Sequence, residues 1–301
     1  MRELYVRGVG VFVARAADGG PLEPEAALLQ GRLRRFTSLT TRMALHVAGE
    51  ALAQAEVDPR EVRSVFGTAR GEAETALALL ELRERTGGSS AARFRQSVHS
   101  TPSGLFALAT GSTRASTTVV AGAETFAAAC LETLTLLAED DGPVLLAVAD
   151  EPMPTALSGE PEDVGAAVAL VVAAQEGRRC VGRIQLTARA AADNAAGDAA
   201  GAPGAACAMP AAARFAGVAP SVAAAAPLLA ALGARSGGAV ILSRWLYATA
   251  EPWGEGLLEL LVPHRRPMLL LAAVLDGNSG SFTFRATLRD ELPWAQAGVV
   301  P

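Results

Sequence analysis

The sequence has no lysine; all 26 of its basic residues are arginine. A mechanism that depends on a Schiff-base or general-base lysine is therefore excluded. Aromatics make up only 5% of residues, and there are three histidines and three cysteines. His46, His99 and His264 lie far apart, so no HxxxH or HExxH zinc spacing exists. Cys130, Cys180 and Cys207 form an odd set without a CxxC pair. That argues against a disulfide framework or a zinc site and fits a reducing compartment. There is no basic block either, and the net charge is −5 with a pI near 5.4. Phosphate recognition needs clustered Lys and Arg, so nucleic acid is not an expected partner. The longest apolar run, Val164 to Ala174, is about 11 residues, against the roughly 20 of a spanning helix. The first residues, MRELYVRGVGVFVA, lack the apolar stretch and cleavage site of a secretory signal. The expectation is a cytoplasmic protein without a membrane span, metal or cofactor.

What is present is hydrophobic: 50% of 301 residues, enough for one large core or for a core plus a smaller module. Residues 3–14 are apolar and β-branched and read as a strand. Residues 38–56 set Leu39, Met43, Val47 and Leu52 at helical spacing behind Ser38, a candidate cap. A strand at 63–69, a helix at 72–85, a loop at 86–100 and a small-residue helix at 102–110 follow. Then come a strand at 117–121, a helix at 124–138, and strands at 143–149, 164–174 and 180–188. Alternating strands and helices with short connections indicate an α/β layered domain.

The pattern changes after residue 188. Residues 189–226 are dominated by Ala, with Gly and Pro interspersed. Alanine offers little apolar area to offset ordering entropy, so this stretch reads as a mobile linker or a loosely packed segment. Residues 237–243 read as one more strand. Further on, two apolar strands flank Asp276-Gly277-Asn278-Ser279-Gly280, a hairpin signal, and Phe282, Phe284, Ala286 and Leu288 alternate with polar residues on the second strand.

Three stretches, in order, carry a resemblance: GVGVFVA near the start, AARFRQSVHSTPSGLFALATGSTRASTTVVAGAETF in the middle, and PVLLAVADEPMP. Together they resemble the short ketosynthase-like proteins found beside aryl polyene and related polyketide or fatty-acid genes. The resemblance covers residues 1–247 and implies the N-terminal half of a thiolase-like fold, without the half that carries the two catalytic histidines of a full ketosynthase. In such enzymes a cysteine sits between a strand and a helix N-terminus, where backbone N–H groups and the helix dipole stabilise thiolate and oxyanion. The matching elbow here is VVAGAETF, and Gly122 stands in the cysteine's place. Glu124 falls in the first helical turn, where a carboxylate suits the dipole but cannot do thiol chemistry. No catalytic residue is therefore expected.

Cys130 reads as a buried core thiol on a face with Phe126 and Leu134 or Leu137. Cys180 and Cys207 read as incidental, and His46 as a mid-helix surface or interface residue. Ser97 and His99 fall in the SVHST loop, which in the resembled proteins lies near the acyl pocket and the dimer interface. Val119 belongs to a short β-branched strand that the resemblance sets at a subunit interface.

A second resemblance covers residues 258–301, where LELLVPHRRPMLLLAAVL and LPWAQAGVVP look like the opening of a 3-hydroxyacyl thioester dehydratase of the hot-dog fold. His264 matches only its opening motif, and the dehydratase's catalytic pair would come later than Pro301. This divides the chain into a ketosynthase-like domain at 1–190, an Ala-rich linker with a terminal strand at 191–247, and a truncated hot-dog segment at 248–301, expected to fray on its own. The function implied is that of a non-catalytic partner subunit, similar to a chain length factor. It would pair with a complete β-ketoacyl synthase as a dimer and act with an acyl carrier protein. The alternative is a fragment of a bifunctional ketosynthase-like and dehydratase enzyme; a degenerate fragment without activity is the third reading.

Overall fold

The computed structural model describes residues 3–15, 20, 22–35, 37–158, 164–189, 217–233, 238–241 and 281–287. Eight strands are described: β1 (Glu3–Val13), β2 (Arg63–Gly67), β3 (Ser116–Val119), β4 (Val144–Asp150), β5 (Ala166–Ala173), β6 (Gly182–Arg189), β7 (Gly238–Ile241) and β8 (Ser281–Thr287). They form one sheet in the order β3-β2-β4-β5-β1-β6-β8-β7. Strand β2 runs parallel to both β3 and β4, and the remaining neighbours are antiparallel. The helices are α1 (Leu39–Ala55), α2 (Ala73–Thr86), α3 (Ala91–Phe94), α4 (Thr101–Thr110), α5 (Thr125–Glu139), α6 (Thr155–Ser158), α7 (Pro220–Ala223) and α8 (Ala226–Gly233).

Strands β4 and β5 are buried along their whole length, which is why their sequences are unbroken apolar runs rather than alternating ones. Alternation survives in what each face meets. Leu145, Ala147 and Ala149 of β4 pack with Met43, Val47 and Leu52 of α1. Val144, Leu146 and Val148 pack with Phe126, Cys130 and Leu137 of α5 on the other side.

Helix α1 begins where Ser38 accepts a hydrogen bond from the Thr41 N–H and ends at Glu56 in the left-handed conformation. It lies directly on β1. A Cβ added to Gly8 would stand 2.0 Å from the Ala51 carbonyl oxygen, and one added to Gly10 would stand 2.2 Å from that of Val47. Only glycine permits this approach. At the C-terminal end of α5, the Arg63 guanidinium donates to the carbonyls of Leu136, Asp140 and Gly142 at 2.6, 2.7 and 3.0 Å, a cation where the helix dipole favours one.

Two parts of the sequence reading need correction. Residues 218–226, the end of the stretch read as mobile or loosely packed, contribute Val218 and Val222 to the same core as Leu4, Val6 and Phe126, which Leu228, Leu229 and Leu232 just beyond them also join. Pro220 opens one short helix, and the leucines fall at helical spacing in the next. Strand β8, expected to pair within a separate hairpin, instead lies between β6 and β7 of the main sheet. Its expected partner near 266–275, Cys207, His264 and most of the segment 248–301 lie outside the described residues. No helix among the described residues is long and apolar enough to cross a membrane.

Candidate functional site

Strand β3 forms one edge of the sheet and runs into the elbow. Gly122 opens a short 3-10 turn, Gly122–Glu124, ahead of α5, and has a φ of +56° that favours glycine. A Cβ added there would meet nothing within 4 Å. Thr125 closes the turn: its hydroxyl donates to the Gly122 carbonyl at 2.7 Å and accepts from the Ala121 N–H at 3.1 Å. A glycine turn thus leads from the strand into the helix, and no residue from Val119 to Phe126 is a cysteine. Cys130, two turns further along α5, is buried, and burial pushes its thiol up, away from the reactive thiolate.

Beside the elbow lies a cleft of about 590 Å³. Its walls come from the turn after β2 (Arg70, Glu72), the loop before α4 (Ser97, Val98, His99) and the edge strand with its exit (Thr118, Val120). The structure therefore brings Ser97 and His99 together with Thr118 of β3. Ser97 donates to the Phe94 carbonyl at 2.9 Å, and His99 is exposed. Val119 turns inward against the core, whereas Val120 is exposed. Gly122 and Glu124 are not among the cleft's lining residues. His46 sits half-buried on α1, 3.5 Å from Glu50 and edge-on to Phe12.

Near the turn after β2 are three buried acids that the sequence reading did not single out, of which Glu72 alone lines this cleft. Asp150 ends β4 with no exposure. Its Oδ1 accepts from the Thr68 hydroxyl at 2.7 Å and from the N–H groups of Ala69 and Arg70 at 3.0 Å. Its Oδ2 accepts from Ala69 and from the buried Ser221 hydroxyl. This carboxylate ties the turn after β2 to α7.

Glu151 accepts from the N–H groups of Thr40 and Glu74, both at 3.3 Å, and lines a second cleft of about 790 Å³ with Arg15, Leu39, Leu77 and Met153. Burial raises its carboxyl above the ordinary range. Glu72, at the start of α2, accepts at Oε1 from the Thr41 hydroxyl at 2.7 Å. Its Oε2 is buried without a hydrogen-bond partner. Burial pushes this acid up to about 7, aided by repulsion from Glu151 and opposed by the hydroxyls of Ser38, Thr41 and Thr75. A signal existed: PVLLAVADEPMP ends an unbroken apolar strand on two adjacent acids, which are costly to bury unless they have a task.

Residues 14–216 match the family described as β-ketoacyl synthase, N-terminal domain. No curated protein matches the chain. Among solved structures, the ishigamide ketosynthase/chain length factor superposes with a TM-score of 0.53 at 17% identity, over 95% of this chain and 99% of that one. The ketosynthase ApeO in complex with its chain length factor ApeC, from Xenorhabdus doucetiae, gives 0.50 at 17% identity over 63% of this chain and 84% of that one. A β-ketoacyl synthase from Burkholderia phymatum STM815 gives 0.50 at 14% over 72% and 70%. At these identities the likeness is one of fold.

Proposed function

The chain belongs to the β-ketoacyl synthase N-terminal domain family, and on that premise we propose that it is a non-catalytic partner subunit of a complete ketosynthase. The observation that supports this reading is at VVAGAETF: a glycine turn leads into a helix beside a cleft, and no residue from Val119 through Phe126 is a cysteine. A ketosynthase cannot form an acyl-enzyme without that thiol. Two of the similar structures are ketosynthase and chain length factor pairs, which supports the chain-length-factor-like role. The partner in this reading supplies the cysteine and histidines, and an acyl carrier protein delivers the chain. The 590 Å³ cleft of Ser97, His99, Thr118 and Val120 helps shape the acyl tunnel.

Edge strand β3 suits the pairing, since an uncharged edge left open invites another strand. Phe94, Val98 and Val120 are exposed apolar residues on the same flank. Co-expression with neighbouring ketosynthases should recover a stable heterodimer, and Val120→Lys should abolish it, because a charge would be buried unpaired. An unaltered heterodimer by light scattering would remove β3 from the interface. A ketosynthase-directed electrophile should label the partner's thiol and leave this chain unmodified by intact mass; stoichiometric modification of Cys130 would overturn the non-catalytic reading.

The second reading, a fragment of a bifunctional ketosynthase-like and dehydratase enzyme, rests on the resemblance carried by LELLVPHRRPMLLLAAVL and LPWAQAGVVP. Its test is whether the open reading frame continues past Pro301 into a hot-dog helix.

A further inference from the structure

Two buried acids join the beginnings of two helices. The Glu151 carboxylate accepts from the Thr40 N–H of α1 and from the Glu74 N–H of α2, both at 3.3 Å. One negative charge thus serves the N-terminal ends of both helices. Glu72, the residue before α2, accepts from the Thr41 hydroxyl of α1 at 2.7 Å, with the hydroxyls of Ser38 and Thr75 also turned to it. Glu72 is 3% and Glu151 4% exposed. Like charges in one buried place repel, so such a pair favours keeping a proton. Burial and repulsion from Glu151 keep it on Glu72, whereas Glu151 has two backbone N–H groups to support a charge. The charged groups on the neighbouring elements are otherwise engaged or lie along the clefts. Arg70 donates to the Glu151 carbonyl oxygen at 3.3 Å, Arg42 pairs with Glu23, and Asp150 takes the N–H groups of the turn after β2. Arg15 and Glu74 line the 790 Å³ cleft, and His99 lines the 590 Å³ one.

Helix α2 stands between those two clefts: Ala73 and Ala76 line the smaller, Glu74 and Leu77 the larger. Leu79 is its one buried residue, so its core packing is slight and its attachment to α1 at the N-terminal end matters more. We infer that Glu72 and Glu151 form a one-proton clasp for α2, and that loss of the proton frees this helix from α1 and opens both clefts together. The closed form keeps the Glu72 proton up to about 7, while the open form, with Glu72 in water, releases it near the ordinary 4.5. Opening should therefore become about tenfold more favourable per pH unit between these values and level off above them.

The test is amide exchange of the full chain across this range, corrected for the chemical exchange rate, with and without urea below the unfolding transition. Opening along 73–86 should rise with pH by the stated factor and respond little to urea, as a local opening does. Glu72→Gln should abolish the rise. Glu151→Gln, which removes the repelling charge, should make it level off at a lower pH. A natural protein in which α2 shows no rise overturns the clasp, as does one in which the rise follows urea as steeply as in 39–55, since global unfolding would then explain it. A rise that survives in Glu72→Gln, or one unmoved in Glu151→Gln, overturns the part given to that acid. Should a variant not fold, the natural protein's pH and urea responses decide alone.

Discussion

Two buried acids on the same short turn behave in opposite ways. Asp150 grips the beginning of the turn after β2 with both oxygens, through Thr68, Ala69 and Arg70, and reaches across to Ser221. Glu72, at the other end of that turn, is met by side-chain hydroxyls alone, the Thr41 hydroxyl donating to its Oε1 at 2.7 Å. The first arrangement is what a folded chain builds to fix a backbone. The second leaves the acid easier to protonate, because burial raises it and no backbone N–H holds its charge. Equal burial therefore does not mean equal purpose, and the count of donors separates the structural acid from the poised one.

Removing the structural acid should have the largest effect. Asp150→Ala strands two hydroxyls and two N–H groups in the interior, each worth ~1–3 kcal/mol, and should lower stability by about 4 kcal/mol or more. Urea unfolding would show this, and a loss below about 1 kcal/mol would contradict the anchoring role.

Removing the poised acid should act in the other direction. Glu72 is held up to about 7 against an ordinary 4.5, so between these pH values the folded chain keeps a proton that the unfolded chain has released. Stability is then highest below pH 4.5 and falls as pH rises through 7, by up to about 3 kcal/mol. Raised Glu151 adds to the same slope. Glu72→Gln should flatten that pH dependence and raise stability at pH 8; a variant with the natural slope would show that Glu72 is not the titrating group. The smallest effect is expected for Ser221→Ala, which leaves Asp150 with its other donors: about 1–2 kcal/mol, read as a lower Tm.

The layered fold was legible because its signals are large side chains in regular spacing. Strands at 3–14, 143–149 and 164–174 and the helices at 38–56 and 124–138 agree with the structure to within a few residues. The turn between strand and helix at VVAGAETF was legible from its small residues, and its likeness to a nucleophile elbow rests on the resemblance alone. Residues 218–232 were not, because alanine carries no period, although Val222, Leu229 and Leu232 on their own do. The acid cluster escaped for another reason: Glu72, Asp150, Glu151 and Ser221 come from three separated stretches, and no local pattern announces that a sheet end will gather them. The adjacent acids of β4 were the one visible trace.

The bare glycines of β1 have a mechanical consequence. With Gly8 and Gly10 against the Ala51 and Val47 carbonyls, α1 can neither slide along the strand nor roll on it without a backbone collision. The Ser38 and Thr41 hydroxyls at its tip form a stationary jaw. Helix α2, in which Leu79 alone is fully buried, is held by far fewer core contacts. Local opening should therefore be easier in α2, and amide exchange should run faster along 73–86 than along 39–55.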